Sequence, residues 1–174
     1  MVSKQCRLLF LSLFLGVLAQ PAIALQEDRS QPIRIQADSV ERSERNGTTI
    51  YSGSVVMTQG SMRIEADRIE IQTINDEVSE IIATGVPAHF QQQPEEGEDL
   101  LHAKAETIHY YVSGEKIELL VGASLVQEGS TLQGNRIDYF LEEERVLAVG
   151  DTSTENNSGG RVEVILPPKQ SESE

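Results

Sequence analysis

The sequence predicts an all-β protein built from about four repeats of short antiparallel strands, and three observations predict it. Apolar and polar residues alternate strictly through most of the chain, as in Pro32-Ile33-Arg34-Ile35-Gln36-Ala37 and Met62-Arg63-Ile64-Glu65-Ala66, the pattern of half-buried strands. A small-acidic-x-aliphatic step recurs as Ala37-Asp38-Ser39-Val40, Ala66-Asp67-Arg68-Ile69 and Ala105-Glu106-Thr107-Ile108, and with glycine and asparagine as Gly134-Asn135-Arg136-Ile137, at intervals of 29, 39 and 29 residues. A turn signal follows each step (Asn46-Gly47, Asn75-Asp76, Ser113-Gly114 and the 142–144 acidic run), then a glycine, at Gly53, Gly85, Gly122 and Gly150. Self-similarity at a near-fixed period marks a repeat architecture. Turn signals every 7 to 10 residues predict about four short strands per unit.

Residues 1–24 read as a secretory signal peptide. Lys4 and Arg7 supply the positive start, residues 8–19 the apolar run, and Ala22-Ile23-Ala24 a small-x-small cleavage site, with cleavage expected after Ala24. The apolar run is well short of the ~20 residues of a membrane-spanning helix. Cys6, the only cysteine, precedes that run, so the exported chain would hold no disulfide and no acylation site. Loss of Lys4 and Arg7 would take the net charge from −14 to −16 over the remaining 150 residues. So acidic a chain lacks the basic footprint of a nucleic-acid binder, and the absence of tryptophan argues against stacking platforms. The acids are first of all a means of solubility.

Residues 25–31 are polar and read as a flexible lead-in to one domain spanning 32–166. Its strands include 32–37, 62–66, 69–72, 101–105, 108–112 and 137–141, all alternating. At each repeated step the parity breaks: Ala66 and Ile69 are three apart, so a bend or bulge is needed to keep both inside. Four such corners would turn a ribbon of strands in one sense. Asp38, Asp67 and Glu106 are therefore read as corner residues whose carboxylates bond local backbone N–H groups. Residues 91–99, rich in Gln, Glu, Pro and Gly, form a surface loop that accounts for the 39-residue interval. Arg161-Val162-Glu163-Val164-Ile165-Leu166 is the last strand, Pro167-Pro168 stops it, and residues 167–174 form a disordered acidic tail.

Chemistry is sparse. His89, His102 and His109, the latter two expected on adjoining strands, have no metal-ligand spacing and read as surface or rim residues. No nucleophile elbow, phosphate loop or carboxylate pair stands out. The sequence assigns no catalytic residue, no metal and no cofactor; the protein is not read as an enzyme. What remains is the interior. If the ribbon curls, its apolar residues line a long slot, which is a core if filled and a site for an elongated apolar ligand if left open.

Three tracts carry a resemblance: Gln31-Pro32-Ile33-Arg34-Ile35-Gln36-Ala37-Asp38, the Gly53–Gly60 tract leading into Ile64-Glu65-Ala66-Asp67, and Gly85-Val86-Pro87-Ala88-His89-Phe90. With Ile108-His109-Tyr110 and the final strand, they resemble the OstA-like LptA family of periplasmic lipopolysaccharide-transport proteins over about residues 30–168. The resemblance implies a twisted, slightly open β-jellyroll that holds the lipid A acyl chains of lipopolysaccharide and stacks end to end across the periplasm of a Gram-negative bacterium. It would link an inner-membrane ABC transporter complex (LptC-like and LptF-like proteins) to an outer-membrane LptD-like translocon. By motif, the implied lipid-contacting residues are Ile33, Ile35, Phe90, Tyr110 and Val112; alternation adds Ile64 and Leu101. The edges expected to pair between copies are Ile33 and Ile35 at one end and Val162, Val164 and Leu166 at the other. Arg29, beside the entrance strand, is a solvated loop charge in reach of a phosphate. The rival class is an exported β-rich scaffold module with protein partners only.

Overall fold

The computed structural model describes residues 28, 30–94, 97–151 and 160–168. The expected signal peptide, Arg29 and the tail beyond residue 168 lie outside the described residues. Among the described residues there are ten strands, in one antiparallel sheet: β1 (Arg34–Gln36), β2 (Ser39–Ser43), β3 (Thr48–Gln59), β4 (Met62–Ile74), β5 (Glu77–Gln92), β6 (Leu101–Tyr111), β7 (Lys116–Gln127), β8 (Ser130–Phe140), β9 (Arg145–Val149) and β10 (Glu163–Ile165). The sheet runs β1-β3-β4-β5-β6-β7-β8-β10, with β2 also on β3 and β9 also on β8.

The strands are longer than the repeat reading expects. The six central ones run 11 to 16 residues, so each repeat is two long strands bent in the middle rather than four short ones. The reason lies in the ladders. Registers break between Ser52 and Val55, between Glu65 and Arg68, between Thr84 and Ala88, between Lys104 and Thr107, and between Leu120 and Ala123. Each break is a bulge that bends a strand without ending it. The breaks align across the sheet into one crease, on which the repeated steps Ala66-Asp67, Ala105-Glu106 and Gly134-Asn135 fall opposite the punctuating Gly53, Gly85 and Gly122. The residues that mark the repeats in sequence are thus the residues of the crease.

Glycine is required at this line. Gly53 has φ +88, and a Cβ there would overlap the Asp38 carboxylate. Gly134 has no room either: a Cβ would stand 2.9 Å from the carbonyl oxygen of Val149. The acids, by contrast, point outward. Asp38, Asp67 and Glu106 are exposed, and no hydrogen bond from their carboxylates to local backbone appears among the described residues; the first corner is instead made by the Asp38 N–H, which donates to the carbonyls of Ser52 and Gly53 at 3.1 and 3.2 Å. On the convex side of a fold, water solvates a carboxylate as well as an amide would.

The crease keeps one face inward along the whole strand. On β6, Leu101, Ala103 and Ala105 are buried before it and Ile108 and Tyr110 after it; on β7, Ile117 and Leu119 before and Ala123 and Leu125 after. The two halves of the sheet therefore face each other over one core. Phe90, on one half, meets Tyr110, on the other, edge to face at 6.0 Å. Only the first step departs from the pattern: Val40 is 63% exposed, because β2 is an edge strand with nothing over it.

The outer face of the second half carries a charge cluster. Glu118 and Asp138 pair directly across β7 and β8, yet both are buried, an arrangement of like charges that is unfavourable alone. Lys116 Nζ lies 3.0 Å from Asp138 and 3.7 Å from Glu118, and Arg136 bridges both acids. Lys116 also stands over the Tyr111 and Phe140 rings. Burial raises the Asp138 carboxyl, but hydrogen bonds from Arg136 and Lys116 and their charges outweigh it and hold it below the usual carboxylate value. His102 and His109 share β6 rather than adjoining strands; His102 is exposed, and His109 lies 3.0 Å from Glu80.

Candidate functional site

A folded sheet buries its inner face best in the middle, where both halves supply large side chains on every strand, and worst where its edge strands run out. The volume left open follows that rule. Ile64, Leu101, Ile108 and Phe90 in the middle are 0 to 2% exposed. At the β1–β4 end lies a cavity of about 750 Å³, floored by Ile33, Ile35, Tyr51, Ile71 and Val78 and rimmed by Arg42, Glu44 and Asp76. At the β7–β10 end lies another of about 570 Å³, walled by Tyr110, Leu125, Leu132, Tyr139, Leu141 and Val146. Both fall in the ~300–1,000 Å³ range of small-molecule sites. The long slot expected from the sequence is, in this structure, two end cavities separated by a packed waist.

The seven residues expected to touch ligand separate accordingly. Ile33 and Ile35 share a half-buried face and line the first cavity; Tyr110 lines the second. Val112 is half-buried against the core in the turn after β6, where its N–H donates to the Ser79 carbonyl at 3.1 Å. Ile64, Phe90 and Leu101 belong to the waist, and none of them lines either end cavity. Tyr51, Ile71, Leu125, Leu132 and Tyr139 line the cavities but are not among the seven; period-two alternation places them inward, yet cannot say which inward positions lie at an open end.

The second cavity differs from the first in charge. Asp28, Glu98, Glu115, Glu128, Glu142 and Glu144 stand around it, and no lysine, arginine or histidine is among its described lining residues. Burial, then Glu144 and Glu98, raise the Tyr139 hydroxyl above its ordinary value, against a lowering hydrogen bond from Gln127. Gln92, which continues the inward series Ala88 and Phe90, also lines the cavity; it is 8% exposed, and its side-chain oxygen has no hydrogen-bond partner. The loop reading of 91–99 missed it because β5 runs on to Gln92.

The two expected edges are open. Among the described residues, β1 pairs only with β3, and β10 only with β8. Val164 lies in β10 and Val162 and Leu166 flank it, at 57, 38 and 71% exposure. The last strand is shorter than the expected 161–166. Among the described residues, no group of three or more His, Cys, Asp or Glu is arranged to hold a metal ion.

Comparison with known proteins places this architecture. Residues 34–145 match the family model described as LptA/(LptD N-terminal domain) LPS transport protein. The lipopolysaccharide export system protein LptH of Pseudomonas aeruginosa is 34% identical over 151 residues, 86% of each chain. The lipopolysaccharide export system protein LptA of Escherichia coli K12 is 29% identical over 152 residues, 86% of this chain and 78% of that one. The crystal structure of LptH, described as the LptA-homologous periplasmic component of the lipopolysaccharide transport device of P. aeruginosa, superposes with a TM-score of 0.73 at 32% identity, covering 82% of this chain and 99% of the other.

Proposed function

The chain belongs to the LptA/LptD N-terminal-domain family of lipopolysaccharide-transport proteins, and from that premise we propose that it is a periplasmic carrier that holds lipopolysaccharide by its lipid A acyl chains. The observation that carries the reading is the pair of cavities at opposite ends of one folded sheet, each with aliphatic and tyrosine side chains among its lining residues. Burial of each methylene of an acyl chain contributes about 0.8 kcal/mol, so a few carbons in each cavity suffice for useful affinity. Ile33, Ile35, Tyr110 and Val112 are the first contacts. Ile64, Phe90 and Leu101 meet the chains when the two half-sheets part at the waist.

The carrier is passive, with no catalytic step. Direction comes from the ATPase of an inner-membrane transporter complex with LptC-like and LptF-like members, and delivery is to an LptD-like outer-membrane translocon. The open edges of β1 and β10 add strand to strand, joining copies end to end and bringing the second cavity of one copy to the first cavity of the next. Paired edges also remove an aggregation hazard.

The packed waist is the one observation that favours the rival, a scaffold with protein partners only. Capture of purified lipopolysaccharide on immobilised protein separates the two. Ile35→Asp and Leu132→Asp, one at each mouth, should each reduce capture at least tenfold while the circular-dichroism spectrum stays β-rich. Undiminished capture in both variants, with fold retained, overturns the carrier reading; so does absence of capture by the unaltered protein.

A further inference from the structure

The turn between β2 and β3 holds a reactive pair, Asn46-Gly47. β2 ends at Ser43 and β3 begins at Thr48, so residues 44–47 make the reversal, and Asn46 is exposed in it. No hydrogen bond from the Asn46 side chain appears among the described residues; its backbone N–H donates to the Ser43 carbonyl and its carbonyl accepts from Thr48 Oγ1, both at 3.3 Å. The Gly47 N–H reaches the Glu44 carbonyl at only 3.4 Å, beyond the usual ~2.7–3.2 Å, so this nitrogen is weakly held. The Gly47 carbonyl is firmly used. It accepts from the Thr73 N–H at 2.8 Å and from Thr73 Oγ1 at 2.9 Å, carrying the β3–β4 ladder one step past the Thr48–Gln72 pair. Glycine is obligatory there: its φ is +61, and a Cβ would stand 2.5 Å from the Thr73 carbonyl oxygen. The fold thus keeps beside Asn46 the one residue type whose amide nitrogen no side chain shields.

We propose that Asn46 is a site of spontaneous self-modification, in which the Gly47 amide nitrogen attacks Cγ of the Asn46 side chain. A succinimide ring closes as the N–Cγ bond forms and the Cγ–Nδ2 bond breaks; Nδ2 leaves as ammonia, taking the proton of the Gly47 N–H. Water, the only co-reactant, then opens the ring at either carbonyl. Opening at Cγ leaves an aspartyl residue at position 46. Opening at the main-chain carbonyl leaves an isoaspartyl residue, with the chain now running through Cγ and one methylene longer. The other described asparagines are shielded: Asn75 is followed by Asp76 and Asn135 by Arg136, and Arg136 is also held in ladders with Leu120 and Val149. A longer backbone at position 46 cannot keep the Gly47 carbonyl on Thr73. Since Arg42, Ser43, Glu44 and Gly47 line the first cavity, the isoaspartyl form frees the hairpin tip from β4 along a wall of that cavity. The site stands on the turn alone and does not depend on the carrier reading.

The test is incubation of the purified protein at 37 °C in water enriched in heavy oxygen, at pH 6 and pH 8, followed by peptide mapping in a mass spectrometer. Position 46 should take up one heavy oxygen, faster at pH 8 because the attacking nitrogen must give up its proton. Uptake there should be about tenfold or more faster than at Asn75 or Asn135, whose following residues carry side chains. Methyl transfer from labelled S-adenosylmethionine by an isoaspartyl methyltransferase should register the longer product. Gly47→Ala would strain the fold itself, so the control is Asn46→Gln, whose ring would be larger and slower to close; it should abolish uptake at position 46 and keep the parent's Tm. Asn46→Asp carries the new charge on an ordinary backbone. The isoaspartyl fraction, separated by chromatography, should unfold about 2 °C or more below Asn46→Asp, the loss of the two hydrogen bonds to the Gly47 carbonyl. No uptake at position 46 under conditions in which a free peptide of residues 41–51 takes up label means that the turn protects the asparagine, and overturns the proposal. Equal uptake at all three asparagines overturns the selection by this turn, and an isoaspartyl fraction as stable as Asn46→Asp overturns the release of the hairpin from β4.

Discussion

Phe90→Ala tests whether the middle of this protein is a core or a channel. Phe90 is 2% exposed, pairs across the ladders with buried Ile64 and Ala103, and meets Tyr110 across the fold with ring centroids 6.0 Å apart. Truncating a ring in such a place removes its transfer free energy and leaves a void that the opposed half-sheets cannot fill, at a cost of about 3–5 kcal/mol. Of this, the edge-to-face pair contributes about 0.5–1.5 kcal/mol. For a chain of this size each kcal/mol lowers Tm by ~2–4 °C, so the expected fall is about 6–20 °C. Thermal unfolding followed by circular dichroism measures it, and urea unfolding should show a lower midpoint at unchanged slope. If Phe90 lined an open slot, its loss would create no new void, and Tm would fall by under about 3 °C while lipid capture dropped. That result would refute the packed waist and restore the continuous channel.

Gly53→Ala and Gly122→Ala share a positive φ (+88 and +64), but only the first places its new Cβ against another side chain, the Asp38 carboxylate, whereas nothing lies within 4 Å of the second. Gly122→Ala should cost ~1 kcal/mol, the strain of the left-handed backbone, and Gly53→Ala at least ~1 kcal/mol more, read from urea midpoints. Asp138 is held below its ordinary value of 3.8 in the fold, so it stabilises the protein above that pH and the contribution is lost as pH falls through the lower folded value. Asp138→Asn should cost about 1–2 kcal/mol at pH 7, offset in part by relief of the facing Glu118, and should flatten the acid limb of a stability–pH curve. Val164→Lys places a charge on the open β10 edge and should abolish concentration-dependent growth in small-angle scattering; unchanged growth would exclude that edge from self-association.

The β class, the turns and the crease were all legible in the residues. Asn46-Gly47, Asn75-Asp76, Ser113-Gly114 and the 142–144 run are turns in the fold, because each offers the local chemistry a reversal needs. The parity break at Ala66 to Ile69 or Ala105 to Ile108 announces a bulge, since a pleated strand cannot otherwise bury both residues. The strand count per repeat was not legible, because a bulge and a turn interrupt alternation in the same way. Val40 reads like Ile69 and Ile108, and its exposure follows only from being at the edge.

The candidate site was half legible. Ile33 and Ile35 reach an open end and Ile64, Phe90 and Leu101 do not, although all five alternate alike. Gln92 was hidden in a polar run whose first two residues are still strand. Glu118 and Asp138 look like ordinary surface acids until β7 and β8 set them face to face, with Lys116 and Arg136 between them.

By itself the sequence determined which side of the central strands faces inward and that the chain bends at Ala66-Asp67, Ala105-Glu106 and Gly134-Asn135, for these are local consequences of a two-residue period and its interruption. Only the tertiary structure decided which inward residues pack and which line a cavity. That depends on how many opposed side chains each point of the interior receives, a number set by pairing between strands distant in the chain.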